Sequence, residues 1–171
     1  NCQKGLKGIS FGNFLIKQVA NAIRTDYPNI KDFVTLSPVP GFMDWLELNN
    51  NELFKSIDNG QFINETDEYK DDILKNSLDY FFNSERSDKL PNDSVARFHL
   101  GNGAYLHRIN FLGDLSNKAL NSAAGLMVNY KYDLDKIEEN HEEFFKEKSI
   151  ICSNEVQLMK KNYYNKKLKF G

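Results

Sequence analysis

Between residues 93 and 132 the chain switches backbone habit several times, and this limits the folds open to it. Ser94-Val95-Ala96-Arg97-Phe98-His99-Leu100 reads as a short helix, stopped by Gly101-Asn102-Gly103. Gly101 is the expected residue just past the helix end, where a left-handed backbone favours glycine. Residues 105–111 and 126–132 alternate as strands do, with a helical or irregular stretch at 116–122 between them. A histidine at a helix end, a glycine turn and two strands this close in sequence suggest a site as well as a core.

The flanking segments extend the pattern. Residues 13–27 place Leu15, Val19, Ala20 and Ile23 on one helical face, with Asn13 as N-cap. Pro28 and Asn29 end that helix, and Phe33-Val34-Thr35-Leu36 reads as a short buried strand. Ser37-Pro38-Val39-Pro40-Gly41 follows, and its prolines lack backbone donors, so the chain is expected to leave the sheet at Ser37. Residues 43–54 read as helical, offering Trp45, Leu46, Leu48 and Leu53 for burial, with a break at Asn49-Asn50-Asn51. Residues 64–83 form the clearest helix, striped by Tyr69, Ile73, Leu74, Leu78 and Phe81 or Phe82, with acids in the first turn. Residues 84–91 are a polar linker. Residues 133–148 are acidic and read as solvated, and a last helix over 155–164 runs into Lys166-Lys167-Leu168-Lys169. No internal repeat is present. Strands interspersed among helices predict one mixed α and β domain.

Composition excludes some functions. At 171 residues the chain can bury roughly two thirds of its unfolded surface without disulfides. Its two cysteines, Cys2 and Cys152, have no paired spacing, which favours a reducing, intracellular setting. With 22 basic and 24 acidic residues the net charge is −2, so no global field draws the chain to nucleic acid or to an anionic membrane. No apolar run is long enough to span a bilayer and no signal-peptide pattern opens the chain, so it is expected to be soluble. The start, Asn1-Cys2-Gln3-Lys4-Gly5, has no initiating Met and reads as the exit of an earlier element, as in a fragment of a longer protein.

Several residue groups could carry chemistry. Gly5, Gly8 and Gly12 ahead of a helix would let backbone N–H groups approach a phosphate, aided by Lys4 and Lys7. The spacing is neither a Walker loop nor a dinucleotide fingerprint, and an ordinary turn is the commoner outcome. Ser37 sits before a proline on a stiff platform at a strand end, although a loop serine capping its own turn is the usual fate of such a residue. His99, in a last helical turn, would feel exposed carbonyls that favour imidazolium and raise its pKa, as suits a proton donor. A partly buried histidine bonded to a carbonyl is the competing assignment. His107 and His141 read as structural, and three histidines without ligand spacing argue against a metal site. Asp114 after Gly113 could be catalytic, although capping the Ser116 helix or turn is the commoner role for such a residue. Tyr130 and Tyr132 share a strand face, which core packing already explains. Arg97 and Arg108 are expected to point away from His99.

Four blocks in order carry a resemblance. Gly5-Leu6-Lys7-Gly8-Ile9 through Asn13-Phe14-Leu15-Ile16-Lys17 comes first, then Leu36-Ser37-Pro38-Val39-Pro40-Gly41-Phe42. Phe98-His99-Leu100-Gly101-Asn102-Gly103-Ala104 and Gly125-Leu126-Met127-Val128-Asn129-Tyr130 follow. Together they resemble malonyl-CoA decarboxylase over nearly the whole chain. The resemblance implies a catalytic domain similar to the GNAT acetyltransferase fold, an α/β (α+β) mixed sheet flanked by helices. Residues 1–171 would be most of that domain, without the family's amino-terminal helical domain and the strand expected before Gln3. It implies that Lys7, Gly8, Ile9, Ser10, Phe11, Gly12 and Asn13 bind coenzyme A, that Ser37 and His99 are the catalytic pair, and that Tyr132 lies near the acyl group.

The implied reaction converts malonyl-CoA to acetyl-CoA and carbon dioxide, with no metal or organic cofactor. His99 is expected to donate the proton and Ser37 to position the carboxylate. A GNAT-like acyltransferase and a non-catalytic coenzyme A sensor are the other classes open. Homo-oligomers would form through surfaces that include the absent domain. A mitochondrial or cytoplasmic location follows from family habit; the end Lys-Leu-Lys-Phe-Gly lacks a Ser-Lys-Leu peroxisomal address. Gly8→Asp is expected to weaken coenzyme A binding by charge repulsion, and unchanged affinity in calorimetry would count against the phosphate cradle.

Overall fold

The computed structural model describes residues 12–58, 61–84 and 86–170. Helix α1 (Gly12–Asp26) leads to strand β1 (Phe33–Pro38), helices α2 (Phe42–Asn49) and α3 (Asn51–Ile57), a 3-10 turn (Gln61–Glu65) and helix α4 (Thr66–Phe82). Helix α5 (Ser94–Gly101), strand β2 (Tyr105–Asn110), helix α6 (Asn117–Ala123), strand β3 (Met127–Tyr132) and helices α7 (Ile137–Lys146) and α8 (Asn154–Phe170) follow. The mixed α+β architecture matches expectation. The sheet, however, is antiparallel in order β1-β3-β2, and among the described residues parallel pairing is confined to an isolated bridge between Leu106 and Cys152.

Pairing places Phe33 opposite Tyr132, Thr35 opposite Tyr130 and Ser37 opposite Val128, so all six side chains lie on one face. Leu106 and Ile109 of β2 reach the same face across a register shift at His107. That face is closed by the core, in which Phe42, Phe62, Phe81, Leu100, Leu126 and Phe144 are fully buried. Val34 and Leu36 point to the opposite face and stay exposed. Pro38 still pairs, opposite Met127, one residue past the expected exit. A proline is tolerated there because β1 is an edge strand among the described residues, so its missing N–H costs no ladder bond.

Local chemistry sets the helix ends. Asn50 caps α3 by accepting from Leu53 N at 3.2 Å, which breaks α2 from α3 where the asparagine run predicts. Ser116 caps α6 through Ala119 N at 3.2 Å, while Asp114 accepts from Ser116 N at 2.8 Å and shapes the preceding turn. Helix α1 already includes Asn13, so that residue lies within the first turn instead of capping it. Ala20 of α1 is buried and Ile16 packs on the core, but Leu15 and Val19 are exposed, as is Leu48 of α2. The expected apolar faces of these two helices are therefore shifted.

The acidic segment is not a solvated tail. It folds as α7, which buries Ile137, Asn140 and Phe144. Burying Ile137 and Phe144 contributes about 1.5–3 kcal/mol each, against a few tenths for an exposed charge pair, so the apolar stripe prevails over the charge run. Helix α7 clamps the end of α5: His141 Nδ1–H donates to Gly101 O at 2.6 Å and Asn140 Nδ2 to Gly103 O at 3.0 Å. Gly101 itself is helical, and Gly103 carries the positive φ of +80°. A Cβ on Gly103 would come within 2.2 Å of the Ile137 carbonyl oxygen. Gly103→Ala therefore has to shift α7 as well as bear about 1–3 kcal/mol of backbone strain, and should lower the thermal unfolding midpoint. Gly101→Ala, which meets only ordinary contacts at 3.4 Å, should change it far less.

Candidate active site

One arm of the site is α5. Asp93, 1% exposed, caps it by accepting from Ala96 N at 2.7 Å and also accepts from the Tyr80 hydroxyl at 3.2 Å. Burial pushes the Asp93 carboxyl up, against the bond from Ala96 that holds it down. Gly41 lies against Tyr80, since a Cβ there would sit 2.7 Å from the phenolic oxygen. The Pro-Val-Pro-Gly turn after Ser37 thus rests on the tyrosine that holds the α5 cap.

The other arm is the inward sheet face. Ser37 Oγ lies 3.1 Å from His99 Nε2, and His99 Nδ1 lies 2.8 Å from the Tyr132 hydroxyl. Ser37 donates to Thr35 Oγ1 at 3.1 Å, and Thr35 Oγ1 faces Tyr130 O at 3.5 Å. The Tyr130 ring stacks on the imidazole at 4.6 Å and 18°, while Phe98 meets it edge-on. Ser37, Tyr130 and Tyr132 are buried, and His99 is half-buried. The Tyr130 hydroxyl has no hydrogen-bond partner among the described residues, and burial raises its pKa, as it does that of Tyr132.

Contrary to the sequence expectation, burial pushes His99 down from 6.5 to about 4. The helix-end field that would have raised it is already used. Asn102 N and Ala104 N donate to His99 O, Gly103 N to Leu100 O, and His141 to Gly101 O. The ring leaves the helix end for the sheet, where apolar and aromatic surface replaces water. At neutral pH it is an uncharged imidazole with one N–H and one bare nitrogen.

The structure therefore brings Ser37, His99 and Tyr132 together. Residues Lys7, Gly8, Ile9, Ser10 and Phe11 of the expected coenzyme A loop lie outside the described residues, and Gly12 and Asn13 open α1. Arg97 donates to Pro91 O and Asn92 O, each at 2.7 Å, and Arg108 pairs with Glu155, so both are turned to other partners. Cys152 is half-buried, with its thiol pushed up by burial. Among the described residues no cluster of three His, Cys, Asp or Glu could hold a metal, and no helix is long and apolar enough to cross a membrane. A groove of about 930 Å³, lined by Asn50, Asn76, Asn83 and Tyr163 among others, includes none of the site's side chains. Sequence reasoning missed Thr35 and the stacking role of Tyr130. Each lies two residues before a named neighbour on the same strand face, so the period-2 rule could have found them.

The family model described as "Malonyl-CoA decarboxylase C-terminal domain" matches residues 1–169. A mitochondrial malonyl-CoA decarboxylase from Anser anser anser is 34% identical over 90% of this chain and 37% of its own length. One from Rattus norvegicus is 31% identical over 90% of the chain and 38% of its own length. The chain thus spans less than half the length of these curated relatives. Among solved structures, malonyl-CoA decarboxylase from Rhodopseudomonas palustris has a TM-score of 0.84 at 42% identity, over 93% of this chain and 40% of that one. The Agrobacterium vitis enzyme has a TM-score of 0.84 at 44% identity, over 93% and 43%.

Because the folded-state value of His99 lies below its unfolded value, its neutral form favours the fold above about pH 6.5, and that contribution is lost as pH falls toward 4. Asp93, shifted the other way, opposes this trend, so the informative quantity is a difference between variants. The stability gap between wild type and His99→Asn should shrink between pH 7 and pH 4.5 in denaturant titrations; a constant gap would show that His99 is not held neutral.

Proposed function

Because the chain belongs to the malonyl-CoA decarboxylase family, we propose that it forms the part of a longer enzyme that decarboxylates malonyl-CoA to acetyl-CoA and carbon dioxide. The observation that carries this reading is the neutral His99 ring held between Ser37 and Tyr132. The C–C bond to the carboxylate breaks, its electron pair moves into the thioester as an enolate, and carbon dioxide leaves. The α-carbon then takes the Nε2 proton of His99, and the Tyr132 hydroxyl resupplies Nδ1. One proton from solvent closes the balance. A thioester carbanion is a stronger base than imidazolate, the ion left when Nε2 gives up its proton, so a neutral imidazole is acidic enough to protonate it. Ser37 orients the imidazole and the departing carboxylate.

The reaction so written needs no metal or organic cofactor, since a proton is its only co-reactant. Arg97 and Arg108 are engaged elsewhere, so neither grips the carboxylate, where a strong ionic hold would stabilise the ground state that must lose its charge. Binding energy would come from coenzyme A, taken up through residues 7–13 as the sequence resemblance implies. The mitochondrial names of the curated relatives support an intracellular setting, with the mitochondrion ahead of the cytosol. Assembly into homo-oligomers would involve the rest of the longer protein.

A second reading has specific support: a serine 3.1 Å from a histidine nitrogen also suits acyl transfer from coenzyme A to an amine. Incubating the full-length protein with malonyl-CoA separates the two, because decarboxylation yields acetyl-CoA with no acceptor present. His99→Asn should lower kcat by roughly 10²–10⁴ while coenzyme A affinity is retained, which also excludes a non-catalytic sensor. With the ring already neutral, kcat/KM should stay level from pH 6.5 to 8. A decline with rising pH centred on the ordinary histidine value would show that imidazolium is the donor.

A further inference from the structure

We propose that Thr35 sets the direction of the hydrogen-bond chain through the site, and thereby decides which nitrogen of His99 carries the proton. The Tyr130 carbonyl can only accept, so the Thr35 hydroxyl facing it at 3.5 Å donates. That contact is long, and its importance is directional, not energetic. The Thr35 oxygen then accepts from Ser37 at 3.1 Å, which uses the only proton Ser37 has. The Ser37 oxygen, 3.1 Å from Nε2, is left to accept, so Nε2 carries the hydrogen. A neutral imidazole holds a single N–H, so Nδ1 is bare and accepts from the Tyr132 hydroxyl at 2.8 Å. The reverse direction would leave the Tyr132 proton without a bonded acceptor among the described residues, a cost that is borne only when Ser37 has lost Thr35 as its acceptor.

Two consequences follow. The serine, histidine and tyrosine have the spacing of an acyl-transfer triad but the opposite proton polarity. The nitrogen facing Ser37 already holds a proton and cannot take one from it, so Ser37 is not activated as a nucleophile. The same polarity puts an N–H on the nitrogen that faces Ser37, from which a carbanion brought to that side can be protonated. Thr35 is thus a positioning residue that acts through Ser37.

The kinetic half of this inference rests on the decarboxylase reading, and the tautomer half does not. The test uses the full-length protein labelled with 15N-histidine, with the His99 signal assigned by its loss in His99→Asn. Long-range 15N–1H correlation at pH 7 should show Nε2–H in the wild type. Thr35→Val keeps the branched shape a strand favours but removes the acceptor, so Ser37 turns to Nε2 and His99 switches to Nδ1–H. In that variant kcat for malonyl-CoA should fall about tenfold with KM within about twofold, as expected for an interaction made only in the transition state. Thr35→Ser should restore both signal and rate. An Nδ1–H wild type, or Nε2–H retained in Thr35→Val, would overturn the proposal. The expected NMR pattern in a protein that forms no acetyl-CoA would overturn the decarboxylase reading alone.

Discussion

The register of β1 against β3 is the constraint on which the site depends. Thr35 opposite Tyr130 and Ser37 opposite Val128 put two hydroxyls, a carbonyl and two tyrosines on one inward face. A slip of one residue would turn Thr35 and Ser37 to the other side of the sheet and present Val34 and Leu36 to the site instead. Because Val128 and Tyr130 are fully buried on that face while Val34 and Leu36 are exposed on the other, the core enforces the register.

The histidine arm is fixed by a different device. Helix α5 is short, and a helix of that length has little stability of its own in water. Its start is tied to the core by the buried Asp93 cap and the Tyr80 hydroxyl, and its end by Asn140 and His141 of α7. Tyr80 also lies against Gly41, so the turn that carries the chain away from Ser37 and the cap that holds His99's helix share one support. Displacement of either arm would be felt by the other.

The electrostatics follow from this packing. Each carbonyl at the α5 terminus that might have charged His99 has an N–H donor of its own, and the ring is covered by Tyr130 and Phe98. Desolvation therefore prevails over the helix dipole, and the imidazole stays neutral. Arg97 and Arg108, near the site in sequence, are bound to backbone carbonyls and to Glu155. Among the described residues, the groups that touch the ring are therefore polar or aromatic and uncharged.

Much of this was legible in the residues. Periodicity identified α4, β2 and β3, and the ordered blocks around Ser37, His99 and Gly125 carried the family. The asparagine run marked the break between α2 and α3 correctly, because that signal is local, whereas the cap of α6 is Ser116 and Asp114 shapes only the turn before it. Non-local effects were not legible. The acidic stretch became a docked helix, since burial of Ile137 and Phe144 outweighs its charges. Gly103 took the left-handed position expected of Gly101, because α7 closes over it. Sequence alone determined which elements form and which chemical groups are on hand, because propensity, capping and alternation act over a few residues. Only tertiary structure decided the protonation of His99 and the direction of its hydrogen bonds, because both depend on what strands from distant parts of the chain place against the ring.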